Sequence, residues 1–574
     1  MIYNKTFLPI TKDELAARGW NYVDIVLVTG DAYIDHPAFG AAVLGRVLEA
    51  EGYRVAILPQ PNWQDDLRDF KKFGKPRLFF GVSAGAMDSM VNHYTALKRL
   101  RSTDAYTPDN KAGFRPNYPT VVYTQILKKL YPDVPVVLGG IEASMRRLTH
   151  YDYWQDKVMP SVLIQSGADL LVYGMGERAI VQIAKQIESC KFQVSSFKLD
   201  AIPQTAYLTD NLQCESETCL KLPSHNECLA NKRKFAEAFK LFEEETNKIN
   251  QRTIIQDYST DIQVIVHPPY PLPSQEECDR IYDLPYTRKP HPKYKKRGEI
   301  PAYTMIRHSV NIHRGCFGGC SFCAINAHQG KHIVSRSEKS ILKEIENVCQ
   351  MDDFKGYISD VGGPSANMYA MRGKDEKICE NCKKPSCIFP KICQNLYVSH
   401  KELLQLYKKI AKNQKIKKFF VTSGIRYDLF DEKSNYPDKI YAEYLIKNCV
   451  SGRLKVAPEH SEKHVLDLIR KPDFEKYENF RRFFDHCNRK FGLHQRLIPY
   501  FISSLPGCTQ KDMQNLHNKL KEMGYKPEQV QDFTPTPMTL ATTMFYTGMN
   551  PYTGERIFVE RNLSSKKSQF GKFL

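Results

Sequence analysis

The sequence predicts an α/β protein in two parts: an N-terminal doubly wound domain, flavodoxin- or Rossmann-like, followed by a partial barrel of six βα units. Three observations predict it. Short β-rich apolar runs alternate with helix-spaced segments through residues 20–190. The same alternation returns over 300–540, and an irregular, proline-containing stretch separates the two. Strands that alternate with helices imply a parallel sheet covered on both faces, with right-handed crossovers.

The first domain is expected over residues 1–190. Residues 24–29 (DIVLVT) form its first expected strand, and 38–51 has helical spacing. Further strands are expected at 54–58, 77–82, 120–123, 134–138 and 170–173, with helices at 125–130 and 179–187. Ligands in such sheets sit beyond the carboxyl ends of the strands. That rule points to the loops 30–40, 139–144 (GGIEAS) and 174–178 (GMGER).

Residues 191–295 read as an irregular connecting region with one charged helix at 231–250. Cys214, Cys219 and Cys228 lie there without metal-like spacing. The basic run from Arg288 to Arg297 is broken by prolines and reads as an exposed linker.

The barrel is expected over 296–545. Its strands fall at 308–313, 356–360, 418–423, 454–457, 497–502 and 530–533. Six units are too few for a closed eight-fold barrel. Helices are expected at 340–349, 401–412, 463–469 and 511–523. In the first of these, Ile341, Leu342, Ile345 and Val348 share an apolar face, and Ser337 stands where an N-cap belongs. A cysteine-rich insertion occupies 374–398, and a basic tail runs over 546–574.

Lys and Arg number 82 against 64 Asp and Glu, a formal charge of +18 that favours anionic partners, nucleic acid among them. No basic segment followed by an apolar run opens the chain, and no stretch approaches about 18 consecutive apolar residues. The expectation is a cytoplasmic protein with no membrane partner. In a reducing compartment, its 16 cysteines suggest metal binding or catalysis more than disulfides.

Directly after the first barrel strand comes RGCFGGCSFCAI (314–325). Cys316, Cys320 and Cys323 fall within eight residues, and Gly315, Gly318 and Gly319 let the loop curl around a compact object. Thiolates are the usual ligands of iron–sulfur clusters. A closed structural site normally takes four protein ligands, so three leave one iron open to a small chelator. Zinc or purely structural cysteines are the competing reading of the spacing. Farther on, Cys379, Cys382, Cys387 and Cys393 lie within fifteen residues. Four such thiols can close a tetrahedral zinc site or hold a second iron–sulfur cluster, and spacing does not separate the two.

The three-cysteine loop resembles the signature of the radical SAM superfamily. The resemblance implies a [4Fe–4S] cluster on Cys316, Cys320 and Cys323, with S-adenosylmethionine (SAM) on the open iron. It further implies reductive cleavage of SAM to a 5′-deoxyadenosyl radical, and a one-electron reductant such as flavodoxin or ferredoxin. DVGGPS (360–365) stands where the superfamily's glycine-rich SAM motif stands, with Pro364 in place of a common Glu. VAPEHS (456–461) follows the fourth strand, where members often hold SAM. By that resemblance Gly362, Gly363 and Glu459 are the expected SAM contacts.

Some members carry an N-terminal cobalamin domain. Here Asp35, His36 and Gly40 depart from the spacing of the cobalt-ligating signature, so cobalamin is not expected. Longer runs resemble the YgiQ family of radical SAM proteins: DAYIDHPAFG (31–40), LGGIEASMRRLTHYDYW (138–154), LKVAPEHSE (454–462) and DFTPTPMTLATTMFYTG (532–548). That family name brings no substrate. Two other readings compete with the enzyme: a metal-binding, nucleic-acid-binding module, and a non-catalytic iron–sulfur scaffold.

Overall fold

The computed structural model describes residues 6–189, 202–210, 217–430 and 438–573. The N-terminal part is a nine-stranded sheet. Across it the order is Val55–Pro59, Ile25–Thr29, Phe79–Ser83, Val136–Gly139, Leu170–Val172, Thr205–Thr209, Ile262–Val266, Thr253–Ser259 and Cys219–Lys221. The first five pair in parallel. Numbered along the chain, they run 2-1-3-4-5, the flavodoxin-like order. Alternate residues feed opposite cores. Ile25, Leu27, Val55 and Ile57 pack on one face, while Val26, Val28, Ala56 and Leu58 pack on the other. Helices on both faces explain why these strands read as unbroken apolar runs.

Two expectations fail here. Residues 120–123 are not a strand; they lie in the helix Pro119–Leu130. The β-branched run misleads because its buried positions, Thr120, Tyr123, Thr124 and Leu127, follow helical spacing. Pro119 opens the helix, and the buried Glu142 carboxylate accepts from the Thr120 N–H and hydroxyl. The stretch expected to be irregular supplies the other four strands of the same sheet, plus the helix Lys232–Thr246. Its strands are short and studded with polar residues such as Gln256 and Asp257, which hid them. Cys214 and the rest of 190–201 and 211–216 lie outside the described residues.

The basic run is only partly an exposed linker. Lys295, Lys296 and Arg297 are exposed, but Arg288 is buried, pairs with Glu344 and donates to Ser309 O at 2.6 Å. Asp35 O accepts from the Arg288 N–H at 2.8 Å, and Tyr33 O from the His291 N–H at 3.0 Å. The connection thus ties the sheet to the second half.

All six expected barrel strands are present. Ser309–Asn311 pairs with Asp360–Gly362, and Tyr357–Ile358 with Lys418–Phe419. Arg453–Glu459, Arg496–Ser503 and Gln529–Asp532 form a third group, and every one of these pairings is parallel. The helix Glu338–Cys349 is capped by Ser337 as expected and buries Ile341, Ile345 and Val348. Leu342 is only half-buried; Glu344 takes the inward place because Arg288 and Arg336 both reach it. The basic tail is folded rather than loose. Its helix Leu563–Gly571 buries Lys566 and Gln569, and Phe573 joins the core. Among the described residues no helix is long and apolar enough to cross a membrane.

Candidate functional site

The three-cysteine loop leaves the end of the first barrel strand. The short pairing of His313–Arg314 with Val334–Ser335 closes its base. Gly315 adopts φ +86, and a Cβ there would stand 2.1 Å from His332 O. Gly319 adopts φ +63, with Pro385 O 2.3 Å from where its Cβ would be. No other residue fits either turn. The Cys316 N–H donates to Gly330 O and the Cys323 N–H to Cys320 O, both at 3.1 Å.

The chemistry of these thiols is collective. Burial pushes the Cys316 thiol up and drives Cys323 to about 12, and the Cys320 charge adds to both. Buried thiols at Cys316 and Cys323 that resist ionisation are favoured as thiolates by a bound cationic centre. The set therefore fits a metal cluster. Arg426 and Lys471 act the other way on the thiols. Arg426 Nη1 donates to Cys320 Sγ at 3.4 Å, while its Nε and Nη2 bind Asp428 at 2.8 and 2.5 Å.

Gly362 and Gly363 end the strand beside this loop. A Cβ on Gly362 would lie 2.1 Å from Ser423 Oγ, and one on Gly363 2.5 Å from Cε1 of the buried His313 ring. Both glycines thus permit close packing around the strand end. Burial lowers His313 to about 3, so the ring is neutral. Glu459 sits where the pairing with Arg496–Ser503 shifts register, at φ +68. Its buried carboxylate lies 3.2 Å from Lys471 Nζ, which also donates to Ala457 O at 2.8 Å. Sequence reasoning missed Lys471 and Asp428. The second had a signal, since an Arg and an Asp two residues apart can form a local bidentate pair.

The cysteine-rich insertion lies directly against the first loop. Ser386 Oγ donates to Gly318 O at 2.8 Å, the Cys387 N–H to Phe317 O at 3.0 Å, and Asn326 Nδ2 to Pro385 O at 3.3 Å. Burial raises the Cys379 thiol and lifts Cys387 to about 11. Within the set, Cys382 and Cys393 raise both thiols further, and the Lys331 ammonium lowers them. Asn395 Nδ2 donates to Cys379 Sγ at 3.3 Å.

A cavity of about 760 Å³ opens between the two halves of the chain. Tyr173, Gly174 and Glu177 line it from the end of the N-terminal sheet, and Cys320, Ser321 and Cys323 from the cysteine loop. Of 174–178, one of the three segments expected to meet a ligand, Gly174, Met175, Glu177 and Arg178 line this cavity, the last two from the first turn of the following helix. Gly174, at φ +69, approaches His328 O so closely that a Cβ would be 3.1 Å from it. Residues of the loops 30–40 and 139–144 line a smaller cavity of about 90 Å³. His36 lines neither cavity; it is buried, and its Nδ1 accepts from the Ala38 N–H at 3.1 Å.

Residues 7–309 match the family described as Radical SAM N-terminal, and 310–520 the Radical SAM superfamily. Residues 528–569 match a domain of unknown function, DUF3362. The chain is therefore a radical SAM enzyme, of a class that uses a [4Fe–4S] cluster and SAM. More narrowly, it belongs to the UPF0313 family, the YgiQ-like group expected from the sequence. It is 58% identical to a UPF0313 protein of Bacteroides thetaiotaomicron, over 98% of this chain and 93% of that one. Identity is 56% to a UPF0313 protein of Porphyromonas gingivalis, over 98% of this chain and 89% of that one. Among solved structures, the fold is similar to the radical SAM methyltransferase TsrM of Kitasatospora setae, solved with cobalamin and a [4Fe-4S] cluster bound. That likeness has a TM-score of 0.50 at 15% identity, over 90% of this chain and 77% of that one, and it speaks to fold alone.

Proposed function

We propose that Cys316, Cys320 and Cys323 hold the [4Fe–4S] cluster of this enzyme and that SAM completes it. The observation that carries this reading is three thiols on one loop turned at Gly315 and Gly319, with Arg426 Nη1 3.4 Å from Cys320 Sγ. When bound at these three cysteines, the cluster would supply the one-electron reduction by which enzymes of this class cleave SAM. The protein's residues bind, orient and exclude water. Arg426 offers an N–H to sulfur and is itself fixed by Asp428. Gly362 and Gly363 keep the strand end narrow, so that backbone oxygens there can receive the SAM amino group. Glu459, held by Lys471, offers a carboxylate at the end of the fourth strand.

The four thiols of Cys379, Cys382, Cys387 and Cys393 form the proposed second metal centre, zinc or iron–sulfur, and brace the first loop through Ser386 and Cys387. Enzymes of this class need a one-electron reductant, and a flavodoxin or ferredoxin in the cytoplasm is the proposed donor. Beyond the net charge of +18, no observation favours the nucleic-acid module, and none favours the non-catalytic scaffold. The expectation against cobalamin rested on spacing around His36. The solved neighbour binds cobalamin, so the comparisons lend that expectation no support.

The test is anaerobic reconstitution of wild type and a Cys316/Cys320/Cys323→Ala variant, with dithionite and SAM. Wild type is expected to release 5′-deoxyadenosine and the variant none. Absence of the product from a well-loaded wild type would overturn the reading. Metal analysis of a Cys379/Cys382/Cys387/Cys393→Ser variant should show loss of zinc or of extra iron, with the first cluster's iron retained.

A further inference from the structure

Two adjacent arginines in the N-terminal half have opposite fates. Arg146 is buried and pairs with Asp88, and Asp152 lies 3.9 Å away. Arg147 is equally buried, at 2% exposure, yet among the described residues no carboxylate stands within ion-pair distance. Its Nη1 donates to Ser144 O and lies 3.6 Å from Met538 Sδ, while its Nε has no acceptor. The guanidinium carbon lies over the rings of Tyr173 and Phe242, 4.6 and 4.9 Å from their centroids.

Two π faces offset part of the cost of burying a cation, but they do not replace a counter-ion. The shortfall is visible in the group itself. Burial pulls Arg147 down to about 10, with only Tyr173 opposing. It is visible in a neighbour too, because Arg147 adds to the burial that lowers His328 to about 4.

Arg147 lines the 760 Å³ cavity, and the carboxylates on that wall are already committed. Glu177 pairs with Arg314 at 2.6 Å, Glu243 with Arg470 at 2.7 Å, and Glu277 with Arg178. Arg280 and Lys331 line the same cavity, and among the described residues neither has a carboxylate within ion-pair distance, so the lining carries surplus positive charge and is complementary to an anion. Cys320 and Cys323 line the same cavity, and its volume is that of a small-molecule site.

We propose that this cavity binds a small anionic molecule whose carboxylate or phosphate group pairs with Arg147, the rest of the molecule extending toward Cys320 and Cys323. His328 and Gly174 line the cavity beside Arg147, and both are held from behind by Ser144 Oγ. The Gly174 N–H donates to Ser144 Oγ at 3.1 Å, and His328 Nδ1 lies 3.2 Å from the same oxygen. Only the role of this molecule as substrate rests on the radical SAM reading; the anion site rests on Arg147.

The experiment uses the full chain with its iron reconstituted anaerobically and no SAM present. Inorganic phosphate and acetate are titrated separately at constant ionic strength, with thermal unfolding as readout. Wild type is expected to gain stability in a saturable way from at least one probe. Arg147→Gln should bind that probe at least tenfold more weakly, and Arg147→Lys should retain part of the effect. Phosphate acting alone assigns a phosphate ester, and acetate acting alone a carboxylate. Should Arg147→Gln fail to keep wild-type iron content, Arg147→Met carries the same comparison without an unmet polar group. No saturable effect, or an equal effect without the arginine, overturns the proposal. Measuring 5′-deoxyadenosine separately distinguishes the two readings. SAM cleavage without Arg147-dependent binding sinks this site alone; the reverse sinks the assigned chemistry alone.

Discussion

Replacing Arg426 by methionine separates two roles held by one guanidinium. Nε and Nη2 grip Asp428 at 2.8 and 2.5 Å, and Nη1 reaches Cys320 Sγ at 3.4 Å. The pair is buried, with side chains 10% and 8% exposed. Arg426→Met strands the Asp428 carboxylate, and breaking one side of a buried pair costs about 3–5 kcal/mol. Arg426→Met/Asp428→Leu removes the stranded charge too, so its loss should fall to about 1 kcal/mol. The double variant does not restore the N–H···S bond. A hydrogen bond to a charged acceptor contributes about 1.5–3 kcal/mol, roughly 10- to 150-fold in an equilibrium constant. Urea unfolding of the anaerobic protein, followed by circular dichroism, should therefore show a large loss in the single variant and a small one in the double. Iron retention against a chelator should fall at least about tenfold in both. Equal destabilisation of the two would refute the ion-pair reasoning. Wild-type retention of iron in the double would refute the role given to Nη1.

Gly363→Ala places a Cβ 2.5 Å from the buried His313 ring, so a melting-temperature loss equivalent to about 1–3 kcal/mol is expected. Gly362→Ala should cost less, because the atom it meets is the hydroxyl of exposed Ser423, which can turn away. Lys566 gives a pH signature. Burial pushes its ammonium down to about 8 in the folded chain, against about 10.4 unfolded. Between those values the unfolded chain binds the extra proton, so stability rises with pH across the window, by up to about 3 kcal/mol. Lys566→Met should remove that rise, and unfolding of both proteins near pH 7.5 and pH 10 measures the difference.

Much of the fold was legible because its strands are buried on both faces. Runs such as 24–29 keep an unbroken apolar centre (IVLV, 25–28), and five of them set the parallel order. The segment 120–123 misled because β-branched residues are tolerated in a helix when burial follows its period and Pro119 starts it. The four added strands were hidden because edge and antiparallel strands mix polar and apolar residues, as in TIIQDYS. At the site, the cysteines and glycines announced themselves by spacing, which is local. Lys471, twelve residues beyond Glu459, and the contact of Ser386 with Gly318 are products of tertiary packing, which no local spacing encodes.

The pairing of Arg314 with Glu177 shows how the halves depend on each other. Arg314 lies two residues before Cys316, and Glu177 opens the helix Glu177–Ser189 that follows the fifth parallel strand. The ion pair is 2.6 Å long, with side chains only 11% and 9% exposed, so neither group could be left buried alone without a penalty of several kcal/mol, about 3–5 by analogy with other buried pairs. The cysteine loop therefore takes its position from the N-terminal sheet as much as from the barrel that carries it. The cavity follows the same division: the barrel's wall holds the cysteines, and the sheet's wall holds Arg147, Tyr173 and Gly174. With the proposed cluster on the cysteine loop and the proposed anion on Arg147, chemistry and recognition would enter from different halves of the chain. A change of ligand can arise by altering residues 144–178 while the cysteine loop stays as it is, provided that Glu177 remains to hold Arg314.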